Sequence, residues 1–281
     1  MVQLLKATDH SRDSAGLTYV YPVVSRRAGG VSVGVNLNPN NACNWRCVYC
    51  QVPDLQRGSA PPIDLVLLEQ ELNGFLLELR YGRFMEEQVP QEARRIVDVA
   101  LSGNGEPTSA REFPQVIALI ARVLEAAGLA DTVKIRLITN GSLVSRNYVR
   151  EGLALLGGLG GEVWFKVDGG TAAAYHRINS VEMTPESVAQ RLAKCASLCA
   201  TWVQTCLFAM DGQAPTEAEL VAYLNLLSQA GKQNLKGVLL YGLARPPMQP
   251  EAGRITPLPA TELEKIATRI RLLGLTVKVC P

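Results

Sequence analysis

The chain has 281 residues, 47% of them hydrophobic and 19% charged, and 28 lysines and arginines against 26 acids leave a formal charge of +2. This is an ordinary globular composition whose basic pairs, Arg26-Arg27 and Arg94-Arg95, are too isolated to form the polybasic stripe that marks a nucleic-acid binder. Only two histidines, His10 and His176, are present, which excludes a three-histidine zinc site by count. Apolar runs such as "GLALLGGLGG" (152–161) stop well short of the ~20 residues that cross a bilayer, and no basic-then-apolar amino terminus reads as a secretory signal.

In chain order, Leu17 to Val24 is expected to form a hairpin with the first strand through "RAGG" (27–30). Apolar, β-branched runs then recur: "VSVGVNL" (31–37), "RIVDVAL" (95–101), "VKIRLIT" (133–139), "EVWFKVD" (162–168), "WVQTCLF" (202–208) and "KGVLLYG" (236–242), with a last strand expected at Leu275–Val279. Each of the six is followed by a helical pattern. Thr216 with Glu219 and Thr261 with Glu264 have capping-box spacing, Thr184 precedes Pro185 at a helix start, and Gly231 and Gly274 stop helices. Apolar stripes agree, as in Leu220, Tyr223, Leu224, Leu227 and in Leu263, Ile266, Ile270, Leu273.

Six strand–helix units imply a parallel sheet, either open and twisted or closed into a full or partial barrel. In such folds ligands sit at the carboxyl ends of the strands. The loops at those ends are "NPNNACNWRCVYC" (38–50), "SGNGEPT" (102–108), "TNG" (139–141) and "KVDGG" (166–170), so every unusual motif falls at one end of the expected sheet.

Three cysteines, Cys43, Cys47 and Cys50, crowd into eight residues as C-x3-C-x2-C, with Tyr49 before the last and no histidine nearby. An odd total of seven cysteines, so arranged, suits a metal site in a reducing compartment, the cytoplasm, better than a disulfide framework. Three thiolates are one too few for a closed tetrahedral zinc site. They can hold three irons of a [4Fe–4S] cubane and leave the fourth without a protein ligand. The alternative is a zinc knuckle completed by a distant cysteine, although zinc sites usually pair their cysteines as C-x2-C. Cys195 and Cys199 share an apolar helical stripe with Val188 and Leu192, and Cys206 lies in a strand; these, with Cys280, read as packing thiols rather than as a second cluster.

The triad with its aromatic residue resembles the signature of the radical S-adenosylmethionine (radical SAM) enzymes. "GNGEP" is similar to their glycine-glycine-glutamate-proline motif, with Asn104 where many members carry glycine and with Gly105, Glu106 and Pro107 matching. The resemblance implies a partial (β/α)6 TIM-like barrel with an amino-terminal hairpin extension. It is laid out as one domain over 1–281: extension 1–30, barrel core 31–245, and a carboxyl-terminal helix and strand in 246–281. It implies one [4Fe–4S] cluster on Cys43, Cys47 and Cys50, and S-adenosylmethionine chelating the open iron. Cofactor contacts are expected from Tyr49, Asn104, Gly105, Glu106, Pro107, Asn140, Lys166 and Asp168, and from Gln204, Tyr241 and Arg245. For Glu106, its carboxylate or the adjacent carbonyls would accept the cofactor's ammonium group; Asn140 and Asp168 would hold its carboxylate or ribose hydroxyls, and Lys166 would neutralise a carboxylate.

The activity so implied is reductive cleavage of S-adenosylmethionine to a 5′-deoxyadenosyl radical that abstracts hydrogen from a substrate, with an outside one-electron donor such as flavodoxin or ferredoxin. Within the superfamily, "GNGEPT" and "YGLARPP" (241–247) resemble the small cytosolic iron–sulfur oxidoreductases related to wyosine-base synthases. No cysteine precedes Cys43, so the second cluster of the wyosine enzymes has no ligands at that end. An RNA-modifying enzyme, a glycyl-radical activase acting on a peptide loop, and a non-enzymatic zinc or electron-carrier protein are the alternatives, and the substrate is open among small molecule, peptide and RNA.

Overall fold

A computed structural model describes residue 5, residues 16–25 and residues 29–280. β1 (Val20–Ser25) runs antiparallel to β2 (Gly30–Val35), with Val20 opposite Val35; this is the expected hairpin, and its connection at 26–28 lies outside the described residues. The cysteine loop follows β2 and is closed by a two-residue pair, β3 (Ala42–Cys43) with β4 (Gln56–Arg57). Next come α1 (Leu65–Tyr81), α2 (Phe84–Gln88), β5 (Ile96–Leu101), α3 (Phe113–Ala126), β6 (Lys134–Thr139), α4 (Asn147–Gly158) and β7 (Glu162–Lys166). Two helices, α5 (Ala172–Asn179) and α6 (Pro185–Ala196), precede β8 (Ala200–Cys206). The chain continues through β9 (Phe208–Met210), α7 (Glu217–Gln229), β10 (Leu235–Tyr241), β11 (Ile255–Pro257), α8 (Ala260–Arg271) and β12 (Val277–Cys280).

Eight strands form one curled sheet in the order β1-β2-β5-β6-β7-β8-β10-β12, parallel throughout except at β1. The six expected strand–helix units are its centre, and the architecture is a partial barrel. Pleat alternation decides which residue faces where. Odd-numbered residues of β2, β5, β6 and β7, such as Val33, Leu101, Leu137 and Val163, are buried with helix residues such as Leu72, Ile117 and Leu153 in one core. Even-numbered residues of the same strands, including Gly34, Ala100, Arg136 and Trp164, face the inside of the curl and line a cavity there. Unlike a sheet buried between two helix layers, this one has a helix-covered face and a hollow one.

The caps show where local sequence decides and where it yields. Thr216 and Glu219 form the expected capping box, and Thr184 caps α6 ahead of Pro185. The Thr261–Glu264 pair does not cap: α8 begins at Ala260 directly behind Pro259, whose ring presets the helical entry, so Thr261 is already inside the helix. The last strand starts at Val277 rather than Leu275 and reaches Cys280. β8 ends at Cys206, whose N–H goes to the Asp168 carboxylate at 3.3 Å; Phe208–Met210 then pairs antiparallel with β11 instead of prolonging the sheet.

Candidate active site at the carboxyl ends of the strands

The cysteine loop is clamped along its length. Asn38 Nδ2 donates to the Ala42 carbonyl at 2.9 Å, and the Asn36 Oδ1 accepts the N–H groups of both Asn38 and Asn104 at 3.0 Å. Arg46 and Val48 donate their N–H groups to the carbonyls of Asn179 and Ile178 at the end of α5. The Arg46 guanidinium makes a bidentate pair with Glu251 at 2.8 Å on both arms, and Trp45 packs edge-on to Tyr175 at 6.4 Å. These ties bring Cys43, Cys47 and Cys50 onto the wall of one cavity of about 280 Å³ inside the curl.

Burial pushes the Cys43 and Cys47 thiols up to about 12, so without metal both are protonated at neutral pH and metal binding must release their protons. Their sulfurs already receive N–H donors, Cys43 from the Trp45 backbone at 3.4 Å and Cys47 from Asn179 Nδ2 at 3.2 Å. Donors of this kind stabilise thiolates and tune a cluster's potential. Among the described residues no three of these donors converge on a single ion-sized point. Three thiolates on one wall could each hold one iron of a cubane and leave the fourth without a protein ligand.

The "GNGEP" segment leaves β5 and passes behind the cysteines. A Cβ on Gly105 would collide with the Ala42 carbonyl oxygen and the Asn38 side chain, and Gly103 has φ +139°, a conformation reserved for glycine. Gly105→Ala is therefore expected to cost about 2 kcal/mol, because a backbone carbonyl beside Cys43 cannot step aside as a side chain could; a thermal melt and the cofactor affinity of the same variant check it. Asn104 turns its Nδ2 to Asn41 Oδ1 at 2.6 Å, while its own buried Oδ1 has no partner among the described residues and lines the cavity.

Glu106 lies differently from the expectation of a carboxylate held out to a cofactor. It is buried at 2% exposure, and both of its oxygens are taken. Oε1 accepts the Thr108 N–H at 3.1 Å and the Thr108 and Thr139 hydroxyls at 2.6 Å, and Oε2 accepts the Asn140 N–H at 2.7 Å. Burial drives its carboxyl above the ordinary carboxylate range, against the pull of those four donors. Glu106 thus staples the end of β5 to the end of β6, and Pro107, buried in the turn behind it, does not line the cavity. Asn140 does, with its Nδ2 on Asn44 Oδ1 at 2.9 Å and its Oδ1 accepting Ser142.

Asp168 also departs from its expected place. It is buried behind the central cavity wall, where it accepts the Tyr49 hydroxyl at 2.5 Å and Asn179 Nδ2 at 2.9 Å. Lys166 stands on the cavity side, its Nζ 4.6 Å from the centre of the Tyr49 ring, 3.5 Å from the Tyr241 hydroxyl and 3.9 Å from Asp168. Burial is the largest single influence and works against the Lys166 charge, but Asp168 together with Tyr241, Cys47 and Cys206 outweighs it and raises the ammonium above its ordinary pKa. A fixed cation therefore faces the cavity beside the cysteine loop. Gln204, Tyr241 and Arg245 line the same cavity.

Of the residues expected from sequence, the cavity wall gathers the three cysteines, Tyr49, Asn104, Gly105, Glu106, Asn140, Lys166, Gln204, Tyr241 and Arg245, and leaves out Pro107 and Asp168. Sequence reasoning missed Asn36, Asn44 and Asn179, which position the loop, and an ionic layer deeper in the curl built from Asp98, Arg136 and Glu162. A signal for that layer was present: charges interrupting the apolar runs "RIVDVAL" and "VKIRLIT". Cys195 and Cys199 are buried in the core, and Thr201 Oγ1 donates to the Cys195 sulfur at 3.5 Å. Cys195→Ala should lower stability by roughly 1 kcal/mol and leave the iron content of reconstituted protein unchanged, as a thermal melt and an iron assay would show.

The profile of the Radical SAM superfamily matches residues 37–227, from the cysteine loop into α7. The chain belongs to the radical SAM superfamily. Its fold agrees. A radical SAM methyltransferase from Sphaerobacter thermophilus aligns over 89% of this chain and 66% of its own, with TM-score 0.56 at 12% identity. A histidine-tagged anSMEcpe with bound AdoMet aligns over 88% and 63%, with TM-score 0.52 at 16% identity. A GTPase Obg of Brachyspira hyodysenteriae is 23% identical over 134 residues, 48% of this chain. The chain spans about a sixth of that curated relative, 17% of its length, and contains no G-x4-G-K-[S/T] phosphate loop. Among the described residues of this radical SAM protein no helix is long and apolar enough to cross a membrane.

Proposed function

We propose that the chain is a radical SAM enzyme in which Cys43, Cys47 and Cys50 hold one [4Fe–4S] cluster and S-adenosylmethionine occupies its open iron. The observation that carries this reading is the shared wall: three cysteine sulfurs, the fixed Lys166 ammonium and the polar ends of four strands all meet one cavity. When bound, the reduced cluster and its cofactor supply the one-electron chemistry of reductive S-adenosylmethionine cleavage and hydrogen abstraction. The cofactor bound in the similarly folded anSMEcpe is the same molecule.

The chain's own residues bind and orient. Lys166 faces a carboxylate, with Asp168 behind it holding its charge and fixing Tyr49 through the hydroxyl bond. Backbone carbonyls at 103–105 and the unpartnered Asn104 Oδ1 are the acceptors for an ammonium group, since the Glu106 carboxylate is already used. Asn140, Tyr241 and Arg245 complete the polar rim, and the curl of the sheet keeps water from the reacting atoms. The electron donor in this reading is a flavodoxin- or ferredoxin-class protein, the compartment is the cytoplasm, and the 281 residues act as one domain. Kinship with the wyosine-base synthases rests on "GNGEPT" and "YGLARPP" alone.

Anaerobic reconstitution tests the reading. The expected product is brown protein with about four irons per chain, a reduced-state paramagnetic signal that S-adenosylmethionine perturbs, and slow formation of 5′-deoxyadenosine once a reductant is added. Stoichiometric zinc without iron, or iron protein indifferent to S-adenosylmethionine, overturns it.

A further inference from the structure

Below the cysteine loop the cavity continues into the curl, and its floor is closed by charges that satisfy one another. Asp98 accepts the Ser32 hydroxyl on one oxygen and Arg136 on the other. Arg136 Nε donates to Glu162 at 3.3 Å, and Glu162 takes Lys134 Nζ on its other oxygen at 2.9 Å. Two acids meet two bases, and the Arg136 guanidinium lies 5.1 Å over the Trp164 ring. A charged ligand group entering here would have to break a partly buried ion network without offering a better partner, a loss larger than its own pairing returns.

The walls above this floor are aromatic and uncharged. On one side Gly34 lies directly under the Tyr21 ring, where any Cβ would collide with it, and Ala100 is the next inward residue; the Tyr21 hydroxyl pairs with Ser102 at 2.8 Å. On the other side stand Trp164 and, beside Lys166 in the strand register, Gln204. Gln204 is 2% exposed, and its neighbours Val203 and Thr205 are buried on the helix-covered face, so its side chain enters the hollow. Its backbone carbonyl accepts the Val167 N–H at 3.1 Å, but among the described residues nothing takes either end of its side-chain amide. The amide lines the cavity with both ends open, so a ligand there can take the place of water at each of them. A primary amide presents one donor and one acceptor side by side.

We infer that the space between Tyr21, Trp164 and Gln204 above the Asp98–Arg136–Glu162 floor is the substrate chamber, and that it selects an uncharged, planar group with an adjacent donor and acceptor, such as a lactam or imide edge, paired to the Gln204 amide. The inference rests on the proposed reading of the cavity as the reaction site, and it makes Gln204 a specificity residue for substrate rather than a cofactor ligand.

The test uses the full chain without cluster and reads binding by saturation-transfer NMR, so it is independent of catalysis. The probes are uracil as a neutral imide, benzoate as an anion, benzylamine as a cation and S-adenosylmethionine as the cofactor. Uracil should bind saturably and more tightly than benzylamine, and Gln204→Leu should weaken it roughly tenfold while changing the affinity for S-adenosylmethionine, and for any benzoate held at Lys166, less than about twofold. Should the leucine variant fail to fold, Gln204→Glu, which keeps the shape and loses the donor, should weaken uracil similarly. No saturable uracil binding, tighter binding of benzylamine, benzoate binding that Gln204→Leu weakens as much as uracil binding, uracil binding indifferent to Gln204, or equal losses for uracil and S-adenosylmethionine each overturn the assignment. Failure of the radical SAM reading shows separately, as wild-type reconstituted protein that forms no 5′-deoxyadenosine.

Discussion

Cys47→Ala is expected to give a folded protein that retains little iron and forms no detectable 5′-deoxyadenosine under reducing conditions. Structural zinc sites distribute roughly 10–16 kcal/mol of binding over four ligands, so losing one thiolate costs on the order of 3 kcal/mol, about a hundredfold in metal affinity, on that analogy. In the proposed reading the site also keeps one coordination position open, so two thiolates would be left to hold the whole cluster. Cys47 is the informative member of the triad because, although burial keeps its free thiol protonated, a donor is already aimed at its sulfur: Asn179 Nδ2 lies 3.2 Å away, and the same amide group holds Asp168 at 2.9 Å. The fold should survive, since the loop is tied down by Arg46–Glu251 and by backbone bonds to the end of α5 rather than by the sulfur. An iron assay with a parallel circular dichroism spectrum separates the two effects. Full iron and full cleavage activity in the alanine variant would remove Cys47 from the ligand set.

Glu106→Gln is expected to destabilise the protein by roughly 3 kcal/mol, and through that to weaken S-adenosylmethionine binding. The substitution is nearly isosteric, but it replaces one acceptor oxygen by an NH2 group facing either the Asn140 N–H or the Thr108 N–H, and a buried donor then points at a donor. Leaving such groups unsatisfied costs about 1–3 kcal/mol, more when an ionised acceptor is lost. At about 2–4 °C per kcal/mol for a chain of this size, the melting temperature should fall by roughly 6–12 °C. Joint loss of stability and cofactor affinity is the mark of a staple between β5 and β6. Were Glu106 instead a direct ligand of the cofactor's ammonium, the variant would melt like wild type and lose affinity alone.

The sequence by itself determined the family and the end of the sheet where its motifs gather. Cys43, Cys47 and Cys50 are local in the chain, so their spacing is legible without a fold. Strand–helix alternation places "GNGEP", "TNG" and "KVDGG" at the same sheet end as the triad, because parallel strands share one direction. Only the tertiary structure decided what each polar group meets there, since those partners come from distant segments. Glu106 is stapled by Asn140, 34 residues away, and Tyr49 is fixed by Asp168 across 119 residues. Parity likewise cannot tell whether an inward face is filled or hollow: that depends on how far the sheet curls, a property of the twist summed over eight strands. The same curl turned Asp98 and Arg136 from charges misplaced in apolar strands into the paired floor of a chamber, and left the Gln204 amide open to whatever enters it.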